Sequence, residues 1–353
     1  MNSEKRFWQN KNVLITGHTG FKGSWLALWL TQLGAKVTGY ALDPLTEPNL
    51  FNTLQIKELI RDHRGDIRDL SVLERVMKSA KPENIVHMAA QSLVRESYKD
   101  PVGTYATNVM GTVNLMEAVR SCDSVRVILV VTSDKCYENR EIDYGYKETD
   151  PMGGHDPYSC SKGCAELVTS AFRRSFFENG SAVAVASARA GNVIGGGDWA
   201  ADRIIPDAMR AFSDEQILLV RNPGAVRPWQ HVLEPLSGYM TLCEKIWDQP
   251  SKFSEGWNFG PEDEDVRTVE EVTDRVSELW GNHAVWKKSN GDHPHEANLL
   301  KLDITKAKEQ LGWKPRWDLE RALEKTVGWY KSYYNGEMMQ EMSLKQIEEY
   351  QAS

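Results

Sequence analysis

Asn12-Val13-Leu14-Ile15-Thr16 runs straight into Gly17-His18-Thr19-Gly20-Phe21-Lys22-Gly23, and Ser24 to Leu33 follows with a dense apolar pattern. The first five residues read as a strand buried on both faces, and the segment after the glycines reads as a helix. A glycine-rich turn between a strand and a helix suits a dinucleotide. Gly17 permits the tight turn, Gly20 lets backbone approach a pyrophosphate, and Gly23 allows close helix–sheet packing. The helix N-terminus then offers free N–H groups and partial positive charge to the phosphates. Thr19, Phe21 and Lys22 lie in the same loop and are taken with it as cofactor-contacting. Glycines also collect in turns that bind nothing, so the strand–turn–helix context carries the reading.

Outward from this point the chain alternates. Lys36 to Leu42, Ile85 to Met88 and Val125 to Thr132 read as further strands, with helical periods between them. Strands separated by helices imply right-handed crossovers and a parallel sheet covered on both faces, an α/β doubly wound Rossmann sheet. Asp43 is the carboxylate at the end of the second strand and is expected on the adenine ribose, favouring NAD over its 2′-phosphate; a turn before Pro44 is the other reading. Gly65-Asp66-Ile67 reads as the end of the next strand, with Asp66 either beside the adenine or capping a helix before Leu70. After about residue 189 glycines, prolines and tryptophans thicken. The expected division is a cofactor domain over 1–188, with 231–260 returning to it, and a smaller loop-rich lobe over 189–353. From about 336 the tail reads as a terminal helix docking on the body.

Composition narrows the class. Lys plus Arg is 42 against 50 Asp plus Glu, a formal charge of −8. That balance gives no basic face for nucleic acid. The longest apolar run, Trp25 to Leu30, is too short to span a bilayer. Five scattered cysteines without a CxxC pair argue against a disulfide framework or a zinc ribbon, so no metal is expected. With no apolar leader at the start, the expected location is cytoplasmic.

Tyr158-Ser159-Cys160-Ser161-Lys162 places a phenol and an ammonium at i and i+4, on one helix face. The lysine charge favours phenolate, which can take a hydroxyl proton as hydride leaves the same carbon. A surface pair is the bland alternative. Val131-Thr132-Ser133-Asp134-Lys135 ends a buried strand, and ligands of such sheets bind at strand carboxyl ends. A hydroxyl there can assist Tyr158, and Asp134 with Lys135 adds an acid and a base beyond simple hydride transfer. In 189–231, Arg189, Arg203, Arg210, Arg221 and Arg227 suit a diphosphate, with Arg227 and Arg203 preferred. Trp199 and Trp229 are read as base-stacking or core.

Together the glycine loop, the strand-end hydroxyl and YxxxK resemble the extended short-chain dehydrogenase/reductase family of nucleotide-sugar enzymes. The strings His18 to Trp25, Ser133 to Tyr137, Arg189 to Trp199, Arg227 to His231 and His293 to Ala297 resemble the branch that dehydrates CDP-glucose. The likeness is read from Phe7 to Trp329, leaving the tail after Lys331 outside. It implies bound NAD, C4 oxidation by Tyr158 with Lys162 and Ser133 (or Thr132), and an acid at Asp134. Lys135 stands where related dehydratases carry glutamate, so its role as base or as electrostatic stabiliser stays open. The resemblance also implies Ala89, Ala90 and Gln91 beneath the nicotinamide ribose, Asn108 at a helix irregularity near the cofactor, and Asn192, His231 and His295 on the sugar nucleotide. A homodimer or homotetramer and a place in deoxysugar biosynthesis for surface polysaccharide, lipopolysaccharide O-antigen included, follow by the same likeness. The alternatives are another nucleotide-sugar 4,6-dehydratase, a 4-epimerase, or a non-catalytic NAD-binding scaffold.

Overall fold

In the computed structural model, which describes residues 3–178, 180–281, 283–290 and 299–353, seven strands form one parallel sheet. They are β1 (Asn12–Thr16), β2 (Lys36–Ala41), β3 (Arg61–Arg64), β4 (Asn84–His87), β5 (Val127–Val131), β6 (Ala184–Ala190) and β7 (Gly256–Phe259), in the order β7-β6-β5-β4-β1-β2-β3. The chain steps one way from β1 to β3 and the other way from β4 onward. The switch point therefore lies between the carboxyl ends of β1 and β4, where such sheets bind ligands.

Strand side chains alternate between two cores. Val13, Ile15, Val86, Leu129 and Val131 join the larger one, while Leu14, Ile85, Ile128 and Val130 face the smaller. The covering helices are α1 (Phe21–Gln32), α2 (Leu70–Ala80), α3 (Gly111–Arg120), α4 (Pro157–Phe172), α5 (Ile204–Ser213), α6 (Leu233–Asp248), α7 (Val269–Trp280), α8 (Leu319–Tyr334) and α9 (Met339–Ala352). α1 begins at Phe21 rather than Ser24, because the glycine loop's last residues form its first turn with Gly20 at the cap. Gly23 through Leu30 are all buried, which explains an apolar run with no polar face. Among the described residues no helix is long and apolar enough to cross a membrane.

The tail helix α9 covers α1 and α6. Tyr350 packs edge-on against Trp29, with ring centroids 5.7 Å apart, and donates its hydroxyl to Glu234 on α6 at 2.6 Å. Backbone amides of Arg316 and Trp317 also donate to that buried carboxyl. Burial pushes Glu234 from an ordinary 4.5 up to about 7. A carboxyl that holds its proton more tightly when folded adds stability as pH falls through 7 toward 4.5, and that contribution is lost as pH rises. Glu234→Gln is therefore expected to flatten the dependence of Tm on pH over this window and to exceed the parent in Tm at pH 8. Parallel Tm profiles for the two proteins would count against it.

Candidate active site

At the switch point a cavity of about 810 Å³ runs from the glycine loop to the loops after β5 and β6, a volume typical of small-molecule sites. Gly17 adopts φ +78°, and a Cβ there would stand 2.7 Å from the Ala89 nitrogen. A Cβ on Gly23 would stand 2.2 Å from the Gly17 carbonyl oxygen. Gly20 differs: a Cβ would meet only that oxygen, at 3.4 Å, so its backbone opens onto the cavity. Thr19, Phe21 and Lys22 line the same end, and Thr19 Oγ1 donates to the Leu42 carbonyl at 3.1 Å. Burial, with Lys162 and Arg203 nearby, pushes Lys22 down to about 7.

Asp43, Asp66, Ile67, Ala89 and Ala90 complete this half of the wall. Asp43 is exposed at the strand end, 3.6 Å from Arg64. Asp66 is gripped by Arg68, which holds its carboxyl below the usual range. The helix cap before Leu70 is Asp69, which accepts from the Val72 amide. Gln91 and Asn108 stand behind the wall rather than in it. Asn108 sits in a π-helical turn, Ala106–Met110, accepts from the Gln91 amide and donates to the Gln91 carbonyl and to Ser161 Oγ, all within 2.9 Å. It ties the loop after β4 to α4.

Tyr158 and Lys162 project from the first turns of α4, whose start is fixed by Pro157 and by the Asp156 cap on the Ser159 amide. Tyr158 is buried beside Ser133; burial pushes its hydroxyl up to about 12, and the Ser133 hydroxyl opposes this. Burial pushes Lys162 down to about 8, while the Glu166 carboxylate opposes it. Neighbouring hydroxyls at the end of β5 part company. Thr132 Oγ1 points back to Glu166 at 2.5 Å, whereas Ser133 lies beside Tyr158 and donates to Asp134 Oδ1 at 2.9 Å. Of the two, Ser133 is the hydroxyl beside Tyr158.

Asp134 is buried, with Oδ2 lacking any hydrogen-bond partner among the described residues. Burial pushes its carboxyl up against the opposing charges of Lys135 and Arg227. A carboxyl biased toward its protonated form can donate to a leaving hydroxyl. Lys135 lines the cavity next to it.

Toward the far end lie Asn192, Arg203, Arg221 and Arg227. Arg203 is held by Asp198 at 2.7 Å and by Ser92 at 3.3 Å. Two of the five arginines are elsewhere. Arg189 forms a buried pair with Glu166 at 2.8 Å, and Arg210 bonds the Trp199 carbonyl and Asp207. His231 also departs from its expected role on the sugar nucleotide. It is fully buried between Trp25 and Trp317, its ring 4.9 Å from the latter, and it is absent from the cavity wall. Burial pushes it down to about 3, so it is a neutral core ring. Trp199 and Trp229 reach the wall but are otherwise core, packed on Tyr330 and bonded to the Arg267 carbonyl respectively. His293 and His295 lie outside the described residues. Among the described residues no group of three or more His, Cys, Asp or Glu could hold a metal.

Sequence reasoning missed Arg95 and Asp202, a cavity-wall ion pair at 3.1 Å that also engages Arg221. No local motif marks it. Glu166 was missed as well, although its place four residues after Lys162 sets it one turn along the same face.

The family model described as GDP-mannose 4,6 dehydratase matches residues 14–326. The chain belongs to this family. Within it, a curated CDP-glucose 4,6-dehydratase from Salmonella typhimurium is 54% identical over 99% of both chains. That match includes the tail, correcting the expectation that the likeness stops at Trp329. Among solved structures, an epimerase from Methanothermobacter thermautotrophicus aligns with a TM-score of 0.82 at 24% identity, over 94% of this chain and 95% of its own. The dTDP-glucose 4,6-dehydratase of Bacillus anthracis, solved with NAD, aligns with a TM-score of 0.76 at 24% identity, over 94% and 99%. These two likenesses show the fold.

Proposed function

We propose that this chain dehydrates CDP-glucose to CDP-4-keto-6-deoxyglucose with NAD as a recycled cofactor. The observation that carries the chemistry is one cavity lined by Tyr158, Ser133 and Lys162 and, bonded to Ser133 through its other oxygen, a buried Asp134 carboxyl with an unengaged oxygen. The family relative at 54% identity carries the nucleotide and sugar.

The cradle fits the cofactor: Gly20 leaves space over the first turn of α1, whose amides face a diphosphate. Asp43 would take the adenine ribose, Asp66 and Ile67 the adenine, and Ala89 and Ala90 the nicotinamide side. Bound there, NAD would supply the hydride acceptor for C4 and the hydride donor for C6. Tyr158, steadied by Ser133 and Lys162, takes the C4 hydroxyl proton. The C4 ketone then acidifies C5–H, because the carbanion is delocalised as an enolate. Lys135 acts at C5, and Asp134 protonates the departing C6 hydroxyl as water. Asn192, Arg203 and Arg227 are assigned to the diphosphate, with the residues from 189 onward supplying the nucleotide lobe.

Incubation with NAD and CDP-glucose labelled with deuterium at C4 is expected to give the 4-keto-6-deoxy product with label at C6. Turnover of UDP-, GDP- or dTDP-glucose without CDP-glucose would overturn the substrate, and label retained at C4 would point to an epimerase. An epimerase has no use for the Asp134 acid. The cytoplasm is the proposed location; none of the five cysteines is in a disulfide.

The quaternary proposal is a homodimer. Val102 and Met110 are 78% and 52% exposed on the helical stretch 101–110, which packs against α4, and Leu167 on α4 is 60% exposed. Leu167→Asp is expected to convert a dimer to monomers by light scattering. An unchanged dimer would place its interface elsewhere.

A further inference from the structure

Gly191 follows β6 directly and is buried in the wall of the reaction cavity. Its backbone is not among the left-handed glycines, so nothing about φ calls for the missing side chain. Space does. A Cβ at 191 would stand 2.3 Å from Asp134 Oδ2, 2.9 Å from Asp134 Cγ and 2.9 Å from the Pro228 ring. Contacts under 3 Å cannot stand, so one partner must move. The Gly191 backbone is pinned, since its carbonyl accepts from Gln230 Nε2 at 3.2 Å and that same amide group also donates to the Phe259 carbonyl. Pro228 is part of a strand paired with Val266–Thr268. The group free to yield is the Asp134 carboxyl, whose Oδ2 has no partner to hold it.

We infer that Gly191 is a positioning residue for the elimination step: the absence of a side chain there seats the Asp134 carboxyl at C6. The inference rests on the assignment of Asp134 as the acid. In that step the C5–H and C6–O bonds break, the C5 proton passes to Lys135 as base, the C5 electron pair becomes the C5–C6 π bond, and the hydroxyl leaves as water with the proton of Asp134. Oxidation at C4 uses Tyr158, Ser133 and Lys162; of these only Ser133 touches Asp134, through Oδ1 rather than the Oδ2 that faces the seat. A methyl at 191 therefore acts on one half of the reaction. Displacing a catalytic group by about 1 Å costs on the order of 10²-fold.

The test compares Gly191→Ala with Asp134→Asn, each supplied with NAD and CDP-glucose. Gly191→Ala is expected to form the 4-keto-6-deoxy product about 10²-fold more slowly than the parent, while reduced-nicotinamide absorbance accumulates because C4 oxidation outruns elimination. Product formation within about threefold of the parent would overturn the inference, as would an equal loss of oxidation and elimination in a folded variant. Asp134→Asn separates the two claims: if it still eliminates water, the acid assignment itself fails; if it does not and Gly191→Ala does, only the seat fails. Thermal melting gives a readout independent of turnover. Gly191→Ala is expected to melt below the parent, and adding Asp134→Ala to it is expected to recover most of the loss by removing the clash. Should Gly191→Ala not fold, the double variant must; failure of both overturns the inference.

Discussion

Tyr158→Phe is expected to lower turnover of CDP-glucose by about 10³-fold, within the range for removing a positioned general base, while CDP-sugar binding survives. The phenol ring is buried at the cavity wall and only its oxygen changes, so packing is retained. Ser133 would keep its bond to Asp134 and Lys162 its contact with the Val131 carbonyl. What disappears is the phenol oxygen beside Ser133, the group assigned to take the C4 hydroxyl proton. The loss should fall on kcat, measured by product formation, with Kd for the CDP-sugar unchanged in calorimetry. A variant with parental kcat would remove Tyr158 from the chemistry. The contrast with Gly191→Ala is informative, because Tyr158→Phe should block C4 oxidation and leave no reduced nicotinamide to accumulate.

The residues that identified this centre were legible because each obeys a local rule. The glycine loop joins a strand to a helix, and Tyr158 and Lys162 share one helical face. What the sequence hid depends on which side of an element a polar group faces in three dimensions. Thr132 and Ser133 are both strand-end hydroxyls, yet successive strand residues point to opposite sides, so one meets Glu166 and the other Tyr158. His231 sits in a two-residue strand paired with Val193–Ile194, too short for any alternation to reveal that its ring enters the core. The β3 segment Arg61-Asp62-His63-Arg64 carries no apolar residue; an edge strand tolerates this, and pattern alone passes over it. Counting arginines could not separate Arg203 and Arg227, which line the cavity, from Arg189, whose partner lies on another element.

That last arginine yields the largest expected effect on stability. Glu166 is fully enclosed beneath the reaction centre. Burial alone would push its carboxyl up, but Arg189, Ser187 and Thr132 outweigh this and hold it below the usual range. Arg189 also receives structure from the far side, donating to the Tyr137 hydroxyl at 2.6 Å and to the Glu148 carbonyl. Arg189→Met would strand a carboxylate in the core, a change that costs about 3–5 kcal/mol. The sign of the pH dependence follows. In the parent, a depressed carboxyl contributes stability above its ordinary 4.5 and loses it as pH falls. In Arg189→Met the same carboxyl, now raised by burial, gains stability as pH falls. The gap in Tm between the two proteins should therefore narrow from pH 8 toward pH 5. Glu166→Leu combined with Arg189→Met should recover most of the lost stability, since an apolar pair replaces both charges together. It should not recover activity, because Lys162 loses the nearby carboxylate that favours its charged form and Thr132 loses its anchor. A gap in Tm that stays constant with pH, or a double variant no more stable than the single one, would mean the pair does not carry the charge balance described.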